Sequence, residues 1–239
     1  DEVRQVARML GLDEEIASRQ PFPGPGLGVR ILCNDSTVAI TTEQRKKLAD
    51  FLADYEGGKY VGKIAPIRSV GVQGDNRSYK SLVVLGGGLP TDWDALFEVA
   101  RAIPNNLSFI NRVAYRVDSK EPVNTLTCTP MHICHETAEV LREADAIVTG
   151  TVMNKKIAQC FAVLLPVSTD ETSARPYSIV IRAVVTSDYM TARAAVPGVH
   201  FPVEALESAA KQIKEKLGDK VDMVLYDVTG KPPATIEWE

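Results

Sequence analysis

No run of apolar residues in this sequence approaches the ~20 that a helix needs to span a bilayer, so no membrane partner is expected. The first residues, Asp1-Glu2-Val3-Arg4, carry no basic stretch leading into an apolar one, so they do not read as a secretory signal. Cysteine is scarce. Cys33, Cys128, Cys134 and Cys160 are too few and too scattered for a disulfide-stapled fold, and reduced thiols in a cytoplasmic protein are the expectation. A basic excess is lacking too: 27 Lys and Arg face 31 Asp and Glu, a net charge of −4, and only 6% of residues are aromatic. That argues against a nucleic-acid partner, single-stranded RNA included, since such sites need basic grooves and stacking rings. Catalytic signatures are missing as well. There is no G-x-x-x-x-G-K-[ST] phosphate loop, no G-x-S-x-G elbow and no H-E-x-x-H. Gly86-Gly87-Gly88 runs into Leu89-Pro90 and does not make a G-x-G-x-x-G.

What is present is ordinary globular material, 45% hydrophobic and 24% charged over 239 residues, enough for one large domain or two small ones. Val3, Val6, Ala7 and Leu10 share a helical face. The chain opens inside this pattern without a Met, which reads as a piece of a longer protein. Pro21-Phe22-Pro23-Gly24-Pro25-Gly26 is too rich in Pro and Gly for helix or central strand and marks a connector, either a plain linker or a hinge. Leu27–Leu32 then reads as a strand. Thr41 to Gln44 has capping-box spacing ahead of a helix with Leu48, Phe51 and Leu52. Ile64–Gln73 and Tyr79–Leu85 read as strands around the turn Gly74-Asp75-Asn76. Thr91 is expected to cap a helix that ends at Pro104-Asn105-Asn106, and Asn111–Val117 follows as a strand.

The second half nearly repeats that order. A helix over Glu136–Val148, strands at Cys160–Val167 and Tyr177–Thr186, a helix from Pro202 and a strand at Val221–Val228 are predicted. Asn111-Arg112-Val113-Ala114-Tyr115-Arg116-Val117 also resembles Asp222-Met223-Val224-Leu225-Tyr226-Asp227-Val228, 111 residues on, too long a period for a solenoid. The expected fold class is α+β: two tandem β-α-β-β-α-β repeats, each a mainly antiparallel sheet with helices on one face and the other face free to pair with another copy.

Cys128, His132, Cys134 and His135 are zinc-ligand types within eight residues. No single helix or strand presents all four together, so packed thiols and a satisfied histidine are preferred, and no metal is expected. Three polar stretches are harder to explain by packing: Gly71–Tyr79 with Arg77, Lys155–Gln159, and the tail Lys231–Glu239. In the tail two prolines stiffen the chain, a Trp favours burial and a Lys can take an anion; a docked tail and a ligand-binding tail both fit.

Pro21-Phe22-Pro23-Gly24-Pro25-Gly26-Leu27, Val70-Gly71-Val72-Gln73-Gly74-Asp75, Thr186-Ser187-Asp188-Tyr189-Met190-Thr191 and Lys231-Pro232-Pro233-Ala234-Thr235-Ile236-Glu237-Trp238-Glu239 resemble the C-terminal dimerisation domain of GMP synthase, in its long form with two repeats. The resemblance covers essentially the whole chain. It implies three segments: 1–27, the end of an ATP pyrophosphatase domain and a connector; 28–126, a first dimerisation repeat; and 127–239, a second repeat with a nucleotide-binding tail.

The family makes GMP from XMP, ATP and glutamine in purine biosynthesis. Its S-G-G-x-D-S loop and its glutaminase nucleophile are absent here, so the resemblance implies no catalytic residue and no cofactor in this chain. ATP and Mg belong to the pyrophosphatase domain, and the fragment alone would be inactive. It implies XMP contacts from Arg77, Gln159, Lys231 and Glu237. Implied partners are XMP, the chain's own upstream catalytic domains and a second copy in a homodimer. A purely structural dimerisation module is the alternative. The second repeat lacks the G-D-x-R-S-Y turn and the first lacks the E-W-E ending, so one composite site is expected, with Arg77 from repeat one and the other three from repeat two. Gln20 stands where the family has histidine, which leaves the role of that side chain open.

Overall fold

The computed structural model describes residues 2–20, 26–55, 58–73, 76–87, 89–169, 172, 174–186 and 191–239. The connector Pro21–Pro25, the turn residues Gly74-Asp75, and Ser187–Met190 lie outside the described residues, as do Gly88, Asp170, Glu171 and Ser173.

Helices α1 (Glu2–Met9) and α2 (Glu14–Ala17) come first, then a 3-10 turn, Gly26–Arg30. Next are α3 (Thr42–Asp54), β1 (Val61–Gln73), β2 (Asn76–Gly86), α4 (Trp93–Asn106) and β3 (Ile110–Arg116). The second half holds β4 (Thr127–Cys128), α5 (His135–Val152), β5 (Gln159–Leu165), β6 (Val167–Ser168), β7 (Tyr177–Val185), β8 (Arg193–Ala194), α6 (Val203–Leu217) and β9 (Val221–Asp227).

The main sheet runs β1-β2-β3-β9-β7-β5, with β8 added to β7. It is mostly antiparallel. The exceptions, β2–β3 and β7–β9, are parallel. Helices α4 and α6 are the crossovers that parallel neighbours require. Tyr115 and Tyr226 face each other across the central antiparallel pair β3–β9, where the two halves merge into one sheet. The halves match outward from there: β1-β2-β3 and β5-β7-β9 each show an antiparallel pair followed by a parallel one. Single bonds match too. Val117 N–H donates to the Val224 carbonyl at 2.9 Å, and Val228 N–H to the Val113 carbonyl at 3.1 Å. Val224 N–H donates to Asp118 Oδ1 at 3.0 Å, and Val113 N–H to Thr229 Oγ1 at 2.7 Å.

Alternation along the strands divides the core. Val83, Leu85, Val113, Tyr115 and Val224 face the helices and pack with Leu48, Leu96, Ile103, Leu141 and Ile213. Leu82, Val84, Ala114, Phe161, Val163 and Leu225 face the other way. This second face is not free for another copy, as the sequence suggested. Val123, Leu126, Val167, Ile236 and Trp238 of the same chain cover it. Cover on both faces explains why β5 and β9 are buried along their whole length.

Several local expectations change. Leu27–Leu32 is no strand: it is the 3-10 turn followed by one bridge, Ile31 to Leu164. The turn is held where Arg30 Nη1 meets Asp145 Oδ1 at 2.6 Å. The cap of α4 is Asp92, whose carboxylate accepts from Ala95 N–H at 2.9 Å, and not Thr91. Pro104 lies inside the last turn of that helix, which continues to Asn106. The capping box of α3 forms from Thr41 and Gln44 as spaced. Helix α1 forms but buries none of its residues, and Val3 and Leu10 are 82% and 74% exposed.

At the β9 start, buried Asp222 accepts from the Thr169 backbone N–H and hydroxyl, both at 2.7 Å. Burial disfavours its charge, but the Thr169 hydrogen bonds, with Arg116 and Arg175 nearby, outweigh this and hold the carboxyl below its usual range. A depressed folded-state pKa means stability that is fully present above the unfolded value of about 3.9 and is lost as pH falls through the folded value. Asp222→Asn should therefore flatten the acid limb of a stability-against-pH curve below about pH 4. An unchanged acid limb in urea titrations would refute this.

Candidate functional site

One end of the sheet gathers the β1–β2 hairpin tip, the β3 start, the ends of β7 and β9 and the β5 start. Beyond β9 the chain passes Val228–Gly230 into the tail, which docks between β8 and β1. Lys231 N–H donates to the Ala192 carbonyl at 2.7 Å, and Ala192 N–H returns a bond at 3.2 Å. The Lys231–Pro232 and Pro232–Pro233 peptide bonds are cis. Val72 N–H then donates to the Pro233 carbonyl at 2.8 Å, and Val70 N–H to the Trp238 carbonyl at 2.9 Å. Gly71 permits this approach, because a Cβ there would stand 2.7 Å from both the Pro233 carbonyl oxygen and Asn111 Nδ2.

Each residue singled out in the sequence has a place here. Arg77 is exposed on β2, where its Cα partner is Val72, the residue bonded to Pro233. Lys231 is half-buried beside β8. Gln159 opens β5 and is buried, paired with Val184, whose other neighbour is Ala194 of β8. Glu237 is half-buried, its carbonyl accepting from Arg112 Nη2 at 2.9 Å and Thr235 Oγ1 at 2.5 Å. Backbone contacts thus link Arg77 to Lys231 through Val72 and Pro233, and Lys231 to Gln159 through β8 and β7. A cleft of about 360 Å³ flanks Lys231, with Arg101, Arg193 and His200 among its walls.

Gln20 has a definite partner. Its side-chain amide donates to the Cys160 carbonyl at 2.9 Å and accepts from Cys160 N–H at 2.8 Å. It thereby satisfies backbone groups on the side of β5 away from β7, where a strand neighbour would otherwise be needed.

Sequence reading missed the most buried polar group of this end. Arg112, Arg182 and Asp227 are fully buried, with Arg112 Nη1 at 2.8 Å from Asp227 Oδ2 and Arg182 Nη1 at 3.2 Å from Asp227 Oδ1. Burial pushes the Arg112 guanidinium down to about 10, against the opposing pull of Asp227, so it stays charged at neutral pH. The signal was there: Arg182 interrupts the apolar run Ile179-Val180-Ile181-Arg182-Ala183-Val184, and arginine is rarely fully buried unless paired.

The cysteine–histidine cluster disperses. Cys128 sits on β4 and its Sγ accepts from Asn34 at 3.0 Å. His132 lies at the surface, 3.5 Å from Asp35. Cys134 is the N-cap of α5, and His135 its first residue. Among the described residues no three His, Cys, Asp or Glu side chains gather as a metal site. Hydrogen bonds with Thr137 lower the Cys134 thiol, whereas burial raises Cys160 well above the thiol range. A thiol reagent under native conditions should modify Cys134 first and leave Cys160 unreacted until unfolding. Peptide mapping that finds Cys160 labelled as early as Cys134 would contradict this placement.

Comparison with known proteins bears on the family of this chain. The family described as "GMP synthase C terminal domain" matches residues 147–238, from late α5 through the tail. A "Probable GMP synthase [glutamine-hydrolyzing]" of Caenorhabditis elegans is 32% identical over an alignment covering 100% of this chain and 41% of that protein. A protein of the same description from Leptospira interrogans is 38% identical, over 100% of this chain and 38% of its own length. The "GMP synthase [glutamine-hydrolyzing]" of Dictyostelium discoideum is 31% identical over 100% and 39%. The chain spans about two-fifths of the length of these relatives. With the matched segment carrying β5, β7, β9 and the docked tail, this chain belongs to the GMP synthase C-terminal domain family.

Proposed function

We propose that this chain is the part of a glutamine-hydrolysing GMP synthase that binds XMP through Arg77, Gln159, Lys231 and Glu237. The observation that carries the reading is the docking of the tail, which sets Lys231 and Glu237 at the sheet end that also holds Arg77 and Gln159. The chemistry suits a nucleoside monophosphate. Arg and Lys offer charge-assisted hydrogen bonds to phosphate oxygens, worth roughly 1.5–3 kcal/mol each. The Gln amide and the Glu carboxylate are suited to the polar edges of a base or the hydroxyls of a ribose. ATP, Mg and the glutamine chemistry belong, in this reading, to other domains of the parent enzyme in the cytoplasm, and this chain supplies no catalytic group.

The same reading makes residues 28–126 and 127–239 two copies of one unit, paired inside the chain as two subunits would pair between chains. The matched strand orders and the paired bonds about Tyr115 and Tyr226 support it. They also explain why one composite site would form, because Arg77 comes from one copy and Lys231 from the other. A purely structural module that docks its tail on a partner is less well supported, since Trp238 is fully buried against its own chain.

Titration of this chain with XMP by calorimetry tests the reading. Saturable binding is expected, weakened about tenfold or more by Lys231→Ala, which corresponds to about 1.4 kcal/mol. No saturable binding, or the same Kd in Lys231→Ala, overturns it.

A further inference from the structure

One buried charged group reaches the tail that carries Lys231 and Glu237 at several points, alongside the tail's main-chain bonds to Val70, Val72 and Ala192 and the burial of Trp238. Arg112 Nη2 lies within hydrogen-bond reach of four oxygens: Val70 O at 3.0 Å, Thr235 O and Oγ1 both at 3.2 Å, and Glu237 O at 2.9 Å. Its guanidinium carbon stands 4.3 Å from the centroid of the Trp238 ring. Arg182 Nη1 donates to Thr229 O at 2.6 Å and Nη2 to Thr235 O at 3.3 Å. Asp227 bridges the two arginines and accepts from Thr229 N–H at 2.9 Å. The group therefore grips the chain on both sides of Lys231, at Thr229 and Thr235, and again at the carbonyl of Glu237.

Buried ion groups of this kind seldom add stability over an apolar replacement; where they persist, a single arrangement of the chain is what they can enforce. The register shows where this one is used. With Tyr115 opposite Tyr226, and with Leu85 beside Tyr115 as Ile181 is beside Tyr226, the positions equivalent to Arg112, Arg182 and Asp227 in the other half are Met223, Gly86 and Arg116. The two halves match in strand order and in the bonds around their junction, but the fully buried Arg112–Asp227–Arg182 group stands at the end where the tail docks, whereas Arg116, at the position equivalent to Asp227, pairs with Asp118 and keeps some exposure.

We infer that Arg112, Arg182 and Asp227 are positioning residues for nucleotide binding: they fix the tail main chain so that the Lys231 and Glu237 side chains meet the ligand already oriented. This rests on the XMP reading above and goes beyond it. Rigid preorganisation lowers the ordering cost of binding, so loosening the grip should appear as lost affinity even in a folded protein. Lysine in place of Arg112 keeps the charge but loses the planar fork that reaches several acceptors at once.

The experiment is a double-mutant cycle on the whole chain, read by XMP calorimetry, with circular dichroism confirming the fold. Arg112→Lys should raise the XMP Kd about tenfold in the parent, yet by less than about threefold in a Lys231→Ala background, because the side chain it positions is gone. A general loss of stability would not give that non-additivity. Should Arg112→Lys fail to fold, Thr235→Val, which removes only the tail hydroxyl, carries the same expectation at a smaller size. A folded Arg112→Lys or Thr235→Val with the parent's Kd, or losses that multiply with Lys231→Ala, overturn the positioning role and leave the XMP site standing. Absence of XMP binding in the parent overturns the XMP reading and this inference with it.

Discussion

Asp227→Asn is expected to lower the unfolding free energy by about 3–5 kcal/mol, the cost typical of removing one partner from a buried ion group. The substitution is nearly isosteric, so packing is preserved and the effect is electrostatic. Two guanidinium groups at 0% exposure would lose the carboxylate they share. Both already have a buried Nε with no hydrogen-bond partner among the described residues, so little local compensation is at hand. Asp227 also sits on β9, the strand that joins the two halves through β3, so the damage falls at the middle of the sheet. Guanidinium titration followed by circular dichroism measures the change. A loss of under about 1 kcal/mol would mean that the arginines find other partners or admit water.

Trp238→Ala should destabilise the protein by a similar amount, about 3–5 kcal/mol, by creating a large cavity. Trp238 is fully buried in the second apolar cluster, with Leu82, Val84, Phe161 and Leu225 among its members. Its loss also removes the ring beneath the Arg112 guanidinium. The tail should then loosen from β1 before the rest unfolds, since few other apolar side chains anchor it; Ala234 and Ile236 are the remaining buried ones. Hydrogen exchange would read this directly. The Val70 and Val72 amides, which donate to Trp238 and Pro233, should lose protection while the β5 and β9 amides keep it. Equal loss throughout the sheet would show that the tail and the sheet unfold as one unit.

Much of the secondary structure was legible because its causes are local. The 3.6-residue spacing of Leu206, Ala209, Ala210, Ile213 and Leu217 defines α6, and the Thr41–Gln44 box starts α3 where its spacing says. Misreadings occurred where a distant group overrides local preference. Leu27–Leu32 has strand composition, yet the Arg30–Asp145 pair holds it as a 3-10 turn against α5. The proposed XMP site rests on residue types and on the family resemblance, whereas the assembly of the buried charged group behind it has no such signal in the sequence. Arg112 and Arg182 lie 70 residues apart and Asp227 another 45 further on, and no local pattern joins them.

Most helices and strands, the α+β class and the family membership were thus present in the residues themselves, because helical and strand periodicities and short motifs are properties of neighbouring positions. The single sheet was not, and nor was its second covered face. Both depend on β3 pairing with β9 and on the tail turning back onto β1, contacts between segments more than 100 residues apart. Tertiary structure also decided that Arg77, Gln159 and Lys231 share one end of the sheet, because strand order, set by the two crossover helices, determines which strand ends meet.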